Sequence, residues 1–331
     1  MFYPKFPSKG EIIGICAPSA GIGYKADSFD LSEDSIRSMG FAIRETAEVR
    51  SDDNPSASAE TRGREFNALF ADPDVKAVCA ATGGEYNIEM LPYIDEKLLL
   101  DNPKWFAGYS DPTNISYYMT TRLDIATIYG FNAGSFDWRP LHEYQQNALK
   151  ILSGDVVTQH SFDLWDSGRN FESVCMDTEV SWDLYLPSGL CRDACEFSGR
   201  LIGGCSDVIN ALVGTPYEDT ESFVERYAED GFLWYFDTFE MSPFDLYLFL
   251  IKMKLAGYFN NAKAVILGRI MLPHGAADEE YIELAKRALS DIPFIWGADI
   301  GHTKPAMTII NGAIGKLKLQ NGKAELEMLL K

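Results

Sequence analysis

The first third of the chain alternates short apolar runs with amphipathic stretches, and this pattern constrains the fold more than any other feature. Apolar runs at residues 12–17, 75–81 and 105–109 end at Pro18, Thr82 and Ser110. Strands that are apolar on both faces and alternate with helices form parallel sheets covered on both sides. We therefore predict an α/β protein whose N-terminal domain is a doubly wound parallel sheet.

The remaining patterns divide the chain into three predicted parts. Residues 1–160 form the first domain, with further strands at 41–46 and 124–129 and helices at 32–39 and 58–70. Residues 161–197 are polar, aromatic and rich in turns, which favours a linker and a long loop. Residues 198–331 form a second domain that begins with LIGG at 201–204. It has strands at 232–236 and 264–268, a helix at 243–256, and a hairpin of 314–319 and 323–329 around Asn321-Gly322.

Composition excludes several classes of function. The formal net charge of −20 repels phosphate backbones, so nucleic acid is not an expected partner. No apolar run reaches the roughly 18 residues of a membrane span, and the N-terminus has no signal-peptide pattern. We therefore expect a cytoplasmic protein with unpaired thiols and no membrane association. The sequence has no zinc, Rossmann or P-loop signature, so we expect no metal and no cofactor.

Ser110 is the candidate nucleophile, because it follows an apolar strand and precedes a helix. It stands in GYSDPT at residues 108–113, where Pro112 suits a first helical turn. Such a turn holds the hydroxyl at the carboxyl edge of the sheet, where open α/β folds bind ligands. The N–H groups of Asp111 and of Gly83-Gly84 are candidate oxyanion donors. The alternative is that Ser110 only caps the helix.

His302 is the candidate base among the four histidines of the chain. It lies in GHTKP at residues 301–305, where glycine before and proline after it indicate a stiff turn at a strand end. Histidine titrates near neutral pH, as a general base must. Asp237 and Glu240 both follow the apolar run 232–236, and either carboxylate could orient the imidazole.

Seven motifs occur in the order of one known family, the LD-carboxypeptidase and microcin C immunity group of serine peptidases. The motifs are GICAPS at 14–19, GGEYN at 83–87, GYSDPT at 108–113, LIGG at 201–204, GTPY at 214–217, ILGR at 266–269 and GHTKP at 301–305. With them the chain resembles this family over nearly its whole length.

The resemblance implies a flavodoxin-like N-terminal domain with the serine and a smaller, β-rich α/β C-terminal domain with the acid and the histidine. It also implies a site between the domains, a homodimer, and no cofactor. Matched by motif, Ser110 is the nucleophile, His302 is the base, and the N–H groups of Gly84 and Asp111 form the oxyanion hole. Aspartate at 237 departs from the glutamate of the family, which leaves Asp237 and Glu240 as alternative acids.

The resemblance implies two possible substrates. One is an amide that joins a peptide or amino acid to a nucleotide-like adduct, as in microcin C immunity, and the other is the terminal D-alanine of murein tetrapeptide. Segment 162–197 resembles the loop of the immunity branch, where an aromatic residue stacks on the base, and Trp182 is the candidate.

Arg269 or Lys304 could bind a substrate carboxylate, and the alternative is that both are solvated surface charges. We therefore expect a serine carboxypeptidase that acts on a small peptide or peptidyl-nucleotide. A non-catalytic binding protein with the same cleft is the alternative of another class.

Overall fold

A computed structural model gives the fold of residues 1–169 and 174–331. The chain divides into two compact units of similar length. Unit 1 consists of Met1–Val157 and Thr308–Ile310, and unit 2 consists of Thr158–Met307 and Asn311–Lys331. The first segment of unit 1 thus ends close to the predicted domain boundary at residue 160. The return of residues 308–310 to unit 1 has no signal in the sequence.

The bounds of the elements are as follows. The helices are α1 (Ala26–Ser38), α2 (Ala59–Ala71), α3 (Glu96–Asp101), α4 (Thr113–Thr121), α5 (Glu143–Leu152), α6 (Ser206–Leu212), α7 (Thr220–Arg226), α8 (Pro243–Leu255) and α9 (Asp278–Ala288). The strands are β1 (Ile12–Cys16), β2 (Ala42–Glu45), β3 (Val75–Ala80), β4 (Trp105–Ala107), β5 (Thr127–Tyr129), β6 (Gln159–His160), β7 (Leu164–Trp165), β8 (Thr178–Glu179), β9 (Asp183–Leu186), β10 (Gly189–Cys191), β11 (Cys195–Cys205), β12 (Phe232–Asp237), β13 (Ala262–Gly268), β14 (Phe294–Ala298), β15 (Ile309–Asn311), β16 (Ile314–Gln320) and β17 (Lys323–Leu329).

Unit 1 is built on a six-stranded sheet with the order β15-β5-β4-β3-β1-β2. The pairs β1/β2, β1/β3, β3/β4 and β4/β5 are all parallel. The order 2-1-3-4-5 within this sheet is that of the flavodoxin fold, and it results when the chain reverses its direction of winding after β2. The prediction of a flavodoxin-like α/β domain is confirmed.

The start of a helix in unit 1 could be predicted where a capping residue precedes it, and could not be predicted where no capping residue is present. α2 matches its predicted range, because the Ser58 side chain accepts a hydrogen bond from the Thr61 N–H at the helix start. α1 begins six residues before the predicted residue 32, at Ala26. Lys25 precedes it without a side-chain cap, so no sequence signal indicated this start.

Unit 2 is built on a nine-stranded mixed sheet with the order β10-β9-β14-β13-β12-β11-β16-β17-β6. The central strands β11 to β14 are parallel neighbours, and antiparallel strands flank them on both sides. The predicted terminal hairpin is confirmed as β16/β17. Its turn residues Asn321 and Gly322 have φ values of 51° and 75°, as a tight two-residue hairpin turn requires.

The interpretation of residues 161–197 as a linker and long loop is wrong where this segment forms strands. β9 pairs with the buried strand β14, β10 pairs with β9, and β11 begins within the segment. The small sheet of β7 and β8 accounts for another part. Residues 170–173 lie outside the described residues. Within the described part of the chain, no helix is long and apolar enough to cross a membrane.

Candidate active site

Ser110 lies in the turn between β4 and α4. Its φ is 69°, a left-handed conformation that is uncommon for a residue with a side chain. Pro112 occupies the N-cap position of α4 without a side-chain hydrogen bond, so the Ser110 side chain does not cap this helix. Asn132 holds the preceding residue, because its Oδ1 accepts a hydrogen bond from the Tyr109 N–H at 3.1 Å.

The Asp111 carboxylate joins three turns of unit 1. It is buried, and it accepts hydrogen bonds from the Ser19 hydroxyl at 2.6 Å and the Asn87 N–H at 2.8 Å. The Asn114 amide donates a third hydrogen bond at 3.1 Å. Burial raises the pKa of Asp111, and these donors oppose that rise by stabilising the charged form. The turns after β1 and β3 are thereby fixed to the start of α4.

The two predicted oxyanion donors, Gly84 and Asp111, lie in the turns that follow β3 and β4. Within the described part of the chain, the N–H groups of Gly84 and Asp111 donate no hydrogen bond. Gly84 has a φ of 152°, and a Cβ on it would lie 2.8 Å from the Ser19 Cβ. A Cβ on neighbouring Gly83 would lie 3.1 Å from the Ser110 Oγ, so Gly83 packs directly against the serine. Glycine is therefore required for the close approach of this loop.

Asp237 and His302 form a buried pair in unit 2. Asp237 is the last residue of β12 and is fully buried, and His302 lies in the turn after β14. The His302 Nδ1 lies 2.7 Å from the Asp237 Oδ2, and the His302 backbone N–H donates to Oδ1 at 3.2 Å. The ring of Phe239 covers the imidazole at a centroid distance of 4.7 Å. The Asp237 carboxylate thus contacts the imidazole on its Nδ1 side.

Gly301 makes the contact between Asp237 and His302 sterically possible. Its φ is 106°, and a Cβ on it would overlap the Asp237 carboxylate. The carboxylate therefore occupies the space that a side chain at residue 301 would fill.

Glu240, the alternative acid, does not reach His302. Its side chain is exposed, and its carboxylate lies 4.0 Å from the Nε2 of His274. The Glu240 backbone N–H donates to Asp207, whose carboxylate also accepts from the Phe239 N–H. The structure thus brings Asp237, and not Glu240, to the imidazole.

Two of the predicted substrate-binding residues require correction. Trp182 was expected to be an accessible loop aromatic, but it is 1% exposed and its indole N–H donates to Asp299 at 2.9 Å. Arg269 is neither a surface charge nor available to a substrate carboxylate, because it is buried and paired with Asp299 at 2.7 Å. Lys304 is half-buried, and its carbonyl accepts from the Asp166 N–H.

Sequence reasoning missed Asp299 and Asp207. A signal for Asp299 was present, because this carboxylate directly follows the apolar run of β14, as Asp237 ends β12. Asp207 lies within the short helix α6 and had no comparable signal. Among residues 1–169 and 174–331, no group of three His, Cys, Asp or Glu side chains is arranged to hold a metal ion.

Two family models match the chain. The LD-carboxypeptidase N-terminal domain matches residues 13–130, and the LD-carboxypeptidase C-terminal domain matches residues 198–317. The first range contains Ser110, Gly84 and Asp111, and the second contains Asp237 and His302. These matches and the fold define a carboxypeptidase-type hydrolase built from two domains.

Relatives and solved structures agree with this class. The microcin C7 self-immunity protein MccF of Escherichia coli is 23% identical over 91% of this chain and 88% of its own length. The structure of MccF in complex with aspartyl sulfamoyl adenosine has a TM-score of 0.79 at 21% identity, over 99% of this chain and 98% of that one. Muramoyltetrapeptide carboxypeptidase from Oxalobacter formigenes has a TM-score of 0.74 at 19% identity, over 96% and 99%. The chain belongs to the LD-carboxypeptidase family.

The steric role of Gly301 predicts an unusually large loss of stability on its substitution. Gly275→Ala is the matched control, because Gly275 has a similar φ of 86° but open space around an added Cβ. We expect Gly275→Ala to lower the free energy of unfolding by about 1–2 kcal/mol through backbone strain alone. Gly301→Ala should lose about 3 kcal/mol or more, because Asp237 must also leave His302. Urea denaturation of both variants measures the difference, and equal losses would refute the steric role.

Proposed function

We propose that this carboxypeptidase-type hydrolase acts through Ser110 as nucleophile, His302 as general base and Asp237 as the acid that orients His302. The observation that carries the proposal is the buried contact between Asp237 and the His302 Nδ1 at 2.7 Å. A buried carboxylate on Nδ1 fixes the tautomer and stabilises the imidazolium that forms during acyl transfer. The left-handed φ of Ser110 and the two unpaired N–H groups beside it support its assignment as nucleophile.

The proposed reaction has two steps. In the first, the His302 Nε2 takes the Ser110 hydroxyl proton while the Oγ attacks the carbonyl carbon of the scissile amide. The N–H groups of Gly84 and Asp111 bind the oxyanion, and the imidazolium protonates the leaving amine as the C–N bond breaks. In the second step, water gives a proton to His302 and attacks the carbonyl carbon of the acyl-serine ester. The C–O bond to Ser110 then breaks, His302 returns the proton to the Ser110 Oγ, and the acid is released.

The proposed substrate is an amide at the C-terminal end of a small peptide or of a peptidyl- or aminoacyl-nucleotide. The fold similarity to MccF bound to aspartyl sulfamoyl adenosine supports the nucleotide conjugate. The second candidate is murein tetrapeptide, which the similarity to muramoyltetrapeptide carboxypeptidase supports. Trp182 no longer favours the first candidate, because its ring is buried.

The nucleophile assignment and the substrate class are tested by one assay. Wild-type protein, Ser110→Ala and Ser153→Ala are incubated with aspartyl sulfamoyl adenosine and with murein tetrapeptide, and products are measured by mass spectrometry. We expect wild type to cleave the adenosine conjugate and Ser110→Ala to lose about 10⁴-fold or more in kcat. Ser153, whose hydroxyl binds the Lys150 carbonyl at the end of α5, is the control and should leave kcat unchanged.

Each outcome of this assay has a defined meaning. Cleavage of murein tetrapeptide alone would assign the second substrate class. Normal cleavage by Ser110→Ala would refute the nucleophile, and cleavage of neither substrate by wild type would contradict the proposed substrates.

The identity of the acid is tested by isosteric amides. Asp237→Asn keeps the shape of the side chain but removes the charge, so we expect kcat to fall by about 10⁴-fold. Glu240→Gln makes the same change at the exposed carboxylate. We expect its kcat to stay within about twofold of the wild-type value, because removal of an exposed charge has little effect on the structure. Steady-state kinetics on the cleaved substrate compares the two variants. A larger effect from Glu240→Gln would reverse the assignment.

We also propose that the chain forms a homodimer through α8. Phe244, Leu248 and Leu255 are 58%, 47% and 84% exposed. Together with half-buried Ile251 they follow the spacing i, i+4, i+7, i+11, which places them on one helix face. An antiparallel second copy of α8 would place Phe244 against Leu255 and Leu248 against Ile251, so the face is self-complementary about a two-fold axis.

A cytoplasmic location of the protein stays a prediction from the sequence.

The dimer is tested by charge insertion. Leu248→Glu places a carboxylate near the centre of the proposed interface, and we expect self-association to weaken by about tenfold or more. Leu100→Glu on α3, where Leu100 is 51% exposed, is the control and should leave association unchanged. Sedimentation velocity over a concentration series measures both. A wild-type protein that stays monomeric would contradict the dimer.

A further inference from the structure

Arg269 binds the turn of His302 at three points. It directly follows β13 and is 4% exposed. Its Nε donates to the Thr303 hydroxyl at 3.1 Å, and its Nη2 donates to the Pro305 carbonyl at 3.1 Å. Its Nη1 donates to the Asp299 carboxylate at 2.7 Å. One rigid guanidinium thus connects residues on both sides of His302.

Asp299 holds Arg269 in place. Its side chain is fully buried. Its Oδ1 accepts from Arg269, and its Oδ2 accepts from the Trp182 indole N–H at 2.9 Å and the Phe162 N–H at 3.1 Å. Burial raises the pKa of Asp299 and lowers that of Arg269, and their mutual attraction opposes both shifts. Trp165 lies over the guanidinium at 4.8 Å, so the hydrogen bonds are shielded from water.

A buried ion pair is weak support for stability, because desolvation of both charges opposes their attraction. Its fixed geometry is better explained by a positioning role. Asp237 contacts His302 through the imidazole and the backbone N–H. Arg269 contacts the turn at residues 303 and 305, beyond the histidine. The two contacts together fix the turn on both sides of the imidazole.

We propose that Arg269 is a positioning residue that acts through the turn of residues 299–305 to hold the His302 imidazole for proton transfer. This inference rests on the proposed function, in which His302 is the base. Arg269 itself is buried. Its contribution is to keep the imidazole in one orientation, because a displacement of about 1 Å at a catalytic group can cost about 100-fold in rate.

The test variant is Arg269→Lys. Lysine keeps a positive charge beside Asp299, so no buried charge is left unpaired, but it cannot reproduce the planar fork to Thr303 and Pro305. Arg200→Lys is the matched control. Arg200 is also 4% exposed, is paired with Asp230 and donates to the Gly312 carbonyl, and both of these partners lie outside the turn of residues 299–305.

Two measurements are made on each variant. The first is kcat and KM on the cleaved substrate. The second is the exchange of the His302 Nδ1–H with water, followed by NMR after selective ¹⁵N labelling of the four histidines. A His302→Gln variant identifies the signal.

We expect Arg269→Lys to lower kcat by about 10- to 100-fold with KM within about twofold. The Nδ1–H should exchange about tenfold faster, because the turn opens more often. Arg200→Lys should change neither quantity.

The outcomes separate this inference from the proposed function. If wild type cleaves neither substrate, the proposed function fails, and the exchange measurement alone decides the positioning role. An unchanged Nδ1–H signal in Arg269→Lys would overturn the inference whether or not the protein is active. An equal fall of kcat in Arg200→Lys would also overturn it, because the effect would then come from general loss of stability.

Discussion

The candidate site depends on one constraint, the shared edge at which parallel strands end. In unit 1, Gly84 follows β3 and Ser110 follows β4, and these strands are parallel neighbours. In unit 2, Asp237 ends β12, Arg269 follows β13, and His302 follows β14. Side chains that are tens of residues apart in sequence therefore meet at one edge of each sheet. The turns at these edges can vary in sequence while the buried strands keep their positions, and for this reason the chemistry is carried by the turns.

Three buried carboxylates then fix these turns. Asp111, Asp237 and Asp299 are each 4% exposed or less. An ionised carboxylate without partners would be very unfavourable in the interior, so each one must collect donors from the surrounding backbone and side chains. Asp111 collects donors from the turns after β1 and β3, and Asp299 collects them from Arg269, Trp182 and residue 162. The need to satisfy each charge thus selects one arrangement of the turns around it.

The sequence predicted the elements that local patterns determine. Strands β1 to β5 of unit 1 follow from apolar runs. The hairpin β16/β17 follows from Asn321-Gly322, whose conformation depends on neighbouring residues only. β9 was missed because it is short and is defined by its antiparallel pairing with β14, about one hundred residues further along the chain. A strand pairing over that sequence separation cannot be detected from the pattern of neighbouring residues.

The same distinction applies to the site. Ser110 and His302 stand in recognisable turns, so their neighbourhoods could be predicted. Asp237 ends β12 and Glu240 lies three residues later, and only the tertiary contact with His302 distinguishes the two carboxylates as candidate acids. The roles of Arg269 and Trp182 were predicted wrongly, because the common partner Asp299 lies on a neighbouring strand end that the sequence alone does not bring into contact.

At the position where the family resemblance implies a glutamate, this chain has the shorter Asp237. Its carboxylate contacts His302 at two points, the imidazole Nδ1 and the backbone N–H, and the second contact ties the acid to the backbone that carries the ring. Aspartate has one rotatable bond fewer than glutamate, so less side-chain entropy is lost when the carboxylate is fixed in the interior. The shorter reach requires the turn to approach β12 closely. Gly301 permits this approach, because any Cβ there would occupy the position of the carboxylate. The aspartate at 237 and the glycine at 301 therefore depend on each other, and a glutamate at 237 would require a different path for the turn.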